Sequence, residues 1–130
     1  MRVGSECQFG DTVVQVEQGS SLACSAVLPA LQGFRDAYQE RFGRVDLGGR
    51  AIRVRNTGDL RTTGLSMDTG IGGETYADAI DLAGTCLECL PHEMNHARKG
   101  PGHSGWCLDF APWTRDVLGW NQDAYLGCKE

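Results

Sequence analysis

The hydrophobic and polar positions in the first half of the chain predict a strand, a long helix and a second strand. Thr12–Glu17 is rich in β-branched residues in partial alternation, which indicates a strand. Over residues 22–42 apolar side chains recur at intervals of three and four, the period of a helix, and Gly43 is a suitable residue to end it. Pro29 lies inside this pattern and predicts either a kink or a helix that begins near it. Ala51–Arg55 alternates cleanly and predicts the second strand.

The pattern in the second half predicts a further strand, a second helix and an aromatic tail. Residues 74–82 alternate with a polar, acidic face, which is typical of a strand near the edge of a sheet. Thr85 and Glu88 have the spacing of a capping box and predict a helix that opens there and runs to Lys99. Pro91 either kinks this helix or lies in its first turn. The tail after residue 102 predicts another helix that packs on the core.

The remaining segments predict an arm and a loop. Residues 1–10 are polar and glycine-rich and predict an arm that is tied down at Cys7. Residues 56–73 predict a flexible loop in which Leu65 and Met67 could add a short strand, and the spacing of a calcium loop is missing there. No repeat or low-complexity linker divides the chain. We therefore predict one domain over residues 1–130, an α+β fold with a small mixed sheet packed on two main helices.

Composition and charge exclude several function classes. The chain has 130 residues with 12 basic and 17 acidic side chains, a net charge of −5, which gives no electrostatic footprint for a nucleic-acid backbone. No apolar run approaches the roughly 18 residues of a spanning helix, and the first residues lack the basic and apolar regions of a signal peptide. We expect a monomer with no nucleic-acid or membrane partner.

The cysteine content indicates an oxidising compartment. Six cysteines in a chain of this size predict three disulfides and an extracellular or periplasmic location. Because two cysteines three apart in a helix are poorly placed to bond each other, Cys86 and Cys89 are expected to have separate partners. Otherwise the pairing is open among Cys7, Cys24, Cys86, Cys89, Cys107 and Cys128.

One motif carries the candidate chemistry. Residues 92–96 read H-E-x-x-H, and residues four apart on a helix lie one turn apart on the same face, so His92 and His96 can meet one ion. Glu93 points about 100° away from His92, to the side of the metal. From there it can take a proton from a water molecule without being a ligand.

The third histidine of the chain follows shortly after this helix. Gly100 can adopt the left-handed turn that ends the helix, Pro101 prevents its continuation, and Gly102 gives the chain further freedom to return. His103 can then join the same metal. Three neutral imidazoles with one open position describe a catalytic zinc site with one ion per chain, rather than a closed structural site. A disulfide at Cys107, four residues on, would pin this loop.

Residues 90–97, LPHEMNHA, resemble the active-site helix of zincin metallopeptidases. A third histidine after a glycine turn is similar to the metzincin branch, whose pattern is H-E-x-x-H-x-x-G-x-x-H. This chain departs from that pattern. It has six residues rather than five between His96 and His103, its glycine is displaced by one, and no methionine follows the site. The chain therefore resembles zincins as a group, and which branch of the zincins it resembles stays open.

The resemblance implies a zinc-dependent endopeptidase in a minimal zincin-like domain. It implies that Glu93 accepts the proton of the attacking water and delivers it to the leaving amine, and that residues 74–82 bind an extended peptide or protein substrate. Tyr76 in that segment and Trp106, three residues after His103, are predicted to contact substrate. Candidates for oxyanion stabilisation are Tyr76, Arg115 and Tyr125.

Other functions remain open from the residues alone. The chain could be a disulfide-stapled, secreted binding module whose zinc site is structural or vestigial, although a structural site has no need of Glu93 as a base. Cys86-x-x-Cys89 could be half of a structural zinc site or a redox pair at a helix start. Three-histidine endoribonucleases and peptide deformylases fit the spacing less well.

Overall fold

Five strands form one mixed sheet in the computed structural model, which describes residues 1–60 and 72–128. The strands lie in the order β1-β2-β3-β5-β4. The inner three run parallel, and β1 and β4 are antiparallel to their neighbours at the two edges. The strands are β1 (Val3–Phe9), β2 (Thr12–Glu17), β3 (Ala51–Arg55), β4 (Gly73–Thr75) and β5 (Ala79–Ala83).

Two main helices accompany this sheet, as the sequence predicts for an α+β fold. Helix α1 (Cys24–Phe42) connects the parallel strands β2 and β3 and contacts β1 and β2, while α2 (Leu90–Lys99) contacts β4 and β5. Helix α1 begins five residues before Pro29, which lies exposed inside it, so the proline does not start the helix. The apolar stripe of α1 is buried as its period predicts; its buried residues are Cys24, Val27, Leu31 and Tyr38.

The core lies where the inner strands meet the helices. Every residue of β5 is buried, and its near-continuous apolar sequence is what a strand covered on both faces requires. Its acidic member, Asp81, is compensated because it accepts hydrogen bonds from Arg53 and Arg55 of the neighbouring strand.

Two strand predictions were wrong. Residues 1–10 do not form an arm, because Val3–Phe9 pairs with β2 as an edge strand. Residues 74–82 do not form one strand, because the chain reverses after Thr75 and β4 pairs with β5, with Thr75 opposite Ile80. The alternation of side chains continues through this reversal, and so the pattern alone does not show it. The possible strand at Leu65 and Met67 lies outside the described residues.

Helix α2 begins differently from the prediction. A short 3₁₀ turn, Leu87–Cys89, precedes it, and the N-cap position of that turn is Cys86 rather than Thr85, so the predicted capping box at Thr85 is wrong. Pro91 lies in the first turn of α2, where its missing N–H costs nothing. Gly100 follows the helix with φ of +91°, the left-handed conformation that the sequence predicts for its end.

All six cysteines are paired, as predicted, and three disulfides in a small chain indicate an oxidising environment. The bonds are Cys7–Cys24, Cys86–Cys89 and Cys107–Cys128. The expectation of separate partners for Cys86 and Cys89 was wrong. Cys86 precedes the 3₁₀ turn with a non-helical backbone (φ −136°, ψ 62°), and this lets the two side chains meet across one turn.

The chain divides into two compact units, Met1–Lys99 and Gly100–Glu130. The first contains the sheet with α1 and α2. The second contains α3 (Phe110–Trp113), a π-helical turn (Thr114–Leu118) and α4 (Asp123–Leu126), so the tail is helical in short pieces. The predicted single domain stays a prediction. Among the described residues, no helix combines the length and apolar character needed to cross a membrane.

Candidate metal centre

Two histidines share one face of α2. The rings of His92 and His96 lie edge to face with centroids 5.0 Å apart, as the four-residue spacing requires. His92 is buried and His96 is half-buried. The pair is therefore shielded from bulk water and still close to the surface of its unit.

His103 completes a group that can hold a metal ion. One ligand atom from each of His92, His96 and His103 lies within 4.8 Å of the other two. Three imidazole nitrogens suit zinc, and also copper, iron and nickel, better than magnesium or calcium, which take oxygen ligands. This supports the prediction that the three residues form a group able to bind a metal ion, while zinc as that ion stays a prediction.

Within the second unit, His103 is surrounded by aromatic rings. Gly102 precedes it with φ of +85°, and the His103 ring lies edge to face with Trp106 at 4.6 Å and with Tyr125 at 5.7 Å. Trp106 is fully buried and also contacts Phe110. Its side chain acts as packing behind His103 here, and its predicted contact with substrate stays a prediction.

Glu93 is held in place by strand β4. Its side chain is buried, and the Thr75 hydroxyl lies 2.9 Å from its Oε1 and 3.1 Å from its backbone oxygen. Burial raises the pKa of Glu93 to about 8; the Thr75 hydrogen bond lowers this pKa and the nearby charge of Glu74 raises it. A carboxyl with a pKa near neutrality can both accept and release a proton.

Two glycines let β4 approach α2 closely. A Cβ atom at Gly73 would lie 2.8 Å from both Cγ and Oε2 of Glu93. A Cβ atom at Gly72 would lie 2.5 Å from Sγ of Cys89 and 3.0 Å from Sγ of Cys86. A side chain at either position would require the neighbouring side-chain atoms to move.

The opposite side of α2 is anchored to α1 by a partly buried polar network. Tyr38 donates to Oδ1 of Asn95 at 2.5 Å, and Arg98 donates to both the Tyr38 oxygen and Asn95 Oδ1, at 2.8 and 3.0 Å. Asn95 is fully buried between the two histidines in sequence. The network fixes the rotation of α2, and thereby the direction of its histidine face.

The other predicted site residues are engaged in different contacts. Tyr76 lies in the turn between β4 and β5, where its N–H donates to Ala79 and its carbonyl accepts from Arg50 at 2.6 Å. Arg115 forms an ion pair with Asp123 at 2.6 Å. Substrate binding by Tyr76 stays a prediction.

The sequence interpretation missed Thr75 and the glycines beside it. The available signal was the tetrapeptide Gly-Gly-Glu-Thr at residues 72–75, because paired glycines at the start of a strand indicate close approach of another group. What that group is depends on the pairing of β4 with β5 and on the position of α2, neither of which is local in sequence.

No protein-family model matches the chain, and neither a curated protein nor a solved structure matches it.

Proposed function

We propose that this protein is a zinc-dependent endopeptidase of zincin type. One observation carries the proposal: a short helix holds both a histidine pair and the buried carboxyl of Glu93. The histidine pair belongs to a three-histidine group that can hold a metal ion. A binding module needs neither the tuned carboxyl nor the strand that holds it. Zinc suits the three-imidazole donor set, and when bound it supplies a Lewis acid that acidifies water and polarises a carbonyl.

Glu93 is the general base and then the general acid. Its carboxylate takes a proton from the attacking water, and the same carboxyl gives the proton to the leaving amine as the peptide bond breaks. A bound cation beside it would lower its pKa from the value of about 8, which favours the carboxylate at neutral pH.

Strand β4 is the proposed binding site for the substrate backbone. It is the last strand in the sheet order, and among the described residues no strand pairs with its outer edge. An extended peptide can add to such an edge through main-chain hydrogen bonds, and those hydrogen bonds are largely independent of its sequence. β4 also contacts α2, which would bring a bound peptide towards Glu93.

Tyr125 is the proposed oxyanion-stabilising residue. Its ring lies 5.7 Å from that of His103 and is half-exposed. A phenol close to a metal ligand can donate to a developing oxyanion. The disulfides make an extracellular or periplasmic location the natural one for such an enzyme.

Metal content and peptide cleavage test the function together. We expect about one zinc per chain in the wild type and in Glu93→Gln, and a marked loss of zinc in His92→Ala, His96→Ala and His103→Ala. Digestion of a peptide library, with products identified by mass spectrometry, should fall at least about 100-fold in Glu93→Gln. Glu88→Gln removes an exposed carboxylate from the preceding turn and should leave both readouts unchanged.

The alternatives give different results. Zinc bound by the histidines, with no cleavage of any peptide, would favour the disulfide-stapled binding module. A wild-type protein without zinc, or a Glu93→Gln variant with full activity, would overturn the endopeptidase.

A further inference from the structure

We propose that Thr75 is a positioning residue for the carboxyl of Glu93, and that β4 thereby orients the catalytic base as well as offering an edge to the substrate. The catalytic meaning of this contact rests on the proposed function. The contact itself does not, and it can be tested separately.

The Thr75 hydroxyl lies within hydrogen-bond distance of two oxygens of Glu93. It is 2.9 Å from Oε1 of the carboxyl and 3.1 Å from the backbone oxygen. One hydroxyl group therefore meets both the side chain and the backbone of the same residue, which restricts where the carboxyl lies relative to α2.

The glycines confine Glu93 from the other side. The absent side chain at Gly73 leaves room for Cγ and Oε2 of Glu93, which would lie only 2.8 Å from a Cβ atom. One carboxyl oxygen thus lies in the space that a side chain at Gly73 would fill, while the other meets Thr75. A glutamate side chain has three rotatable bonds, and these two contacts select one arrangement among many.

The strand that makes these contacts is itself fixed. Gly72 packs against the sulfurs of the Cys86–Cys89 disulfide, and its carbonyl accepts from the N–H of Ala83 at 2.9 Å. The disulfide immediately precedes α2, the helix that carries Glu93. β4 is therefore held against α2 near both of its ends, at Gly72 by the disulfide and at Thr75 by Glu93.

Kinetics of matched threonine variants test the proposal. Thr75→Val keeps the size and the strand preference of the side chain but removes the hydroxyl. We expect kcat for a cleaved peptide to fall roughly 10- to 100-fold, with KM changed less than about threefold and about one zinc per chain retained. Thr75→Ser restores the hydroxyl and should recover most of kcat. Thr12→Val, at a half-buried threonine of β2, is the control for the substitution itself.

A stability measurement on the metal-free protein tests the contact without any activity. Thr75→Val should raise the equilibrium constant for unfolding several-fold in the wild type. In a Glu93→Met background, where no carboxyl remains to pair, the increase should be about three times smaller. Equal effects in both backgrounds would overturn the contact.

The outcomes separate the two proposals. A Thr75→Val enzyme with unchanged kcat would overturn the positioning role even if peptide cleavage by the wild type is established. If the wild type cleaves no peptide, the proposed function is overturned, and the positioning role with it. A stability coupling between Thr75 and Glu93 would then still establish the contact as part of the fold.

Discussion

A single methyl group at Gly73 would change where the Glu93 carboxyl lies. The atoms it would meet, Cγ and Oε2 of Glu93, belong to a flexible side chain rather than to backbone. The clash can therefore be relieved by moving the carboxyl instead of the strand. Activity and stability should respond differently to this substitution.

We predict that Gly73→Ala lowers peptide cleavage by at least about 10-fold through displacement of the base, while it lowers the free energy of unfolding by only about 1 kcal/mol. Gly33→Ala is the matched control, because nothing lies within 4 Å of a Cβ atom at this exposed position of α1. Gly33→Ala should raise the free energy of unfolding by roughly 0.5–1 kcal/mol and leave activity unchanged. Denaturant titration and initial rates check both. A fully active Gly73→Ala variant would show that the space at Gly73 does not set the position of the Glu93 carboxyl.

At the scale of elements, the histidine face and the end of α2 were predicted from sequence, and the reason is local. The positions of His92, Glu93 and His96 relative to one another follow from the helix period alone, and Gly100 ends the helix in the predicted conformation. What holds Glu93 follows from strand pairing instead. Thr75 reaches it only because the chain reverses after β4, which the continuous alternation over residues 74–82 does not show.

The junction between β2 and β3 is another element-level feature, and it depends on charge. Oε1 of Glu17 accepts the Asn56 N–H at 2.7 Å and an Arg55 N–H at 3.3 Å. The Asn56 hydrogen bond is the main cause of a lowered pKa for Glu17; Arg55 adds to it and partial burial opposes it.

We predict a pH-dependent stabilisation at this junction. Because the pKa of Glu17 is lower in the folded protein than in the unfolded chain, its contribution is complete above the ordinary carboxyl value of about 4.5 and disappears as the pH falls through the folded value. Glu17→Gln should therefore lower the free energy of unfolding by about 1 kcal/mol at pH 7 and by less as the pH drops below 4.5. Denaturant titration across pH, with the exposed Glu40→Gln as control, measures this. An equal deficit at all pH values would show that the charge of Glu17 does not contribute.

At the scale of the whole molecule, the Cys107–Cys128 disulfide restrains a unit that has little regular structure. The second unit has helices of only four or five residues, which are too short to be stable by themselves. Its aromatic stack and the Cys107–Cys128 bond, with a sequence separation of 21, restrain it instead. This bond begins at Cys107, four residues after His103, and the pinning of the His103 loop by it stays a prediction.

We predict that replacing Cys107 and Cys128 together by serine removes about 3 kcal/mol of stability from this unit, from the loop-closure entropy of a segment of this length. Hydrogen exchange of backbone amides over residues 103–128 should increase, and the zinc affinity of the chain should fall because His103 is less restrained. Replacing Leu108, which is 87% exposed, by serine is the control for substitution in the same segment. Unchanged exchange and zinc content in the double variant would contradict this role for the bond.

The sequence by itself determined the features that depend on near neighbours along the chain. These are the helical period of α1, the strands Thr12–Glu17 and Ala51–Arg55, the histidine face of α2 and the presence of paired cysteines. Spacing determines the helical and strand features because backbone geometry repeats every 3.6 or 2 residues, while the even number of cysteines indicates their pairing. Tertiary structure decided that residues 1–10 contain a strand, that Cys86 bonds Cys89, and that Thr75 and Gly73 enclose Glu93. Each of these depends on which segments pair in space or on the conformation of one turn, and hydrophobic periodicity carries no information about either.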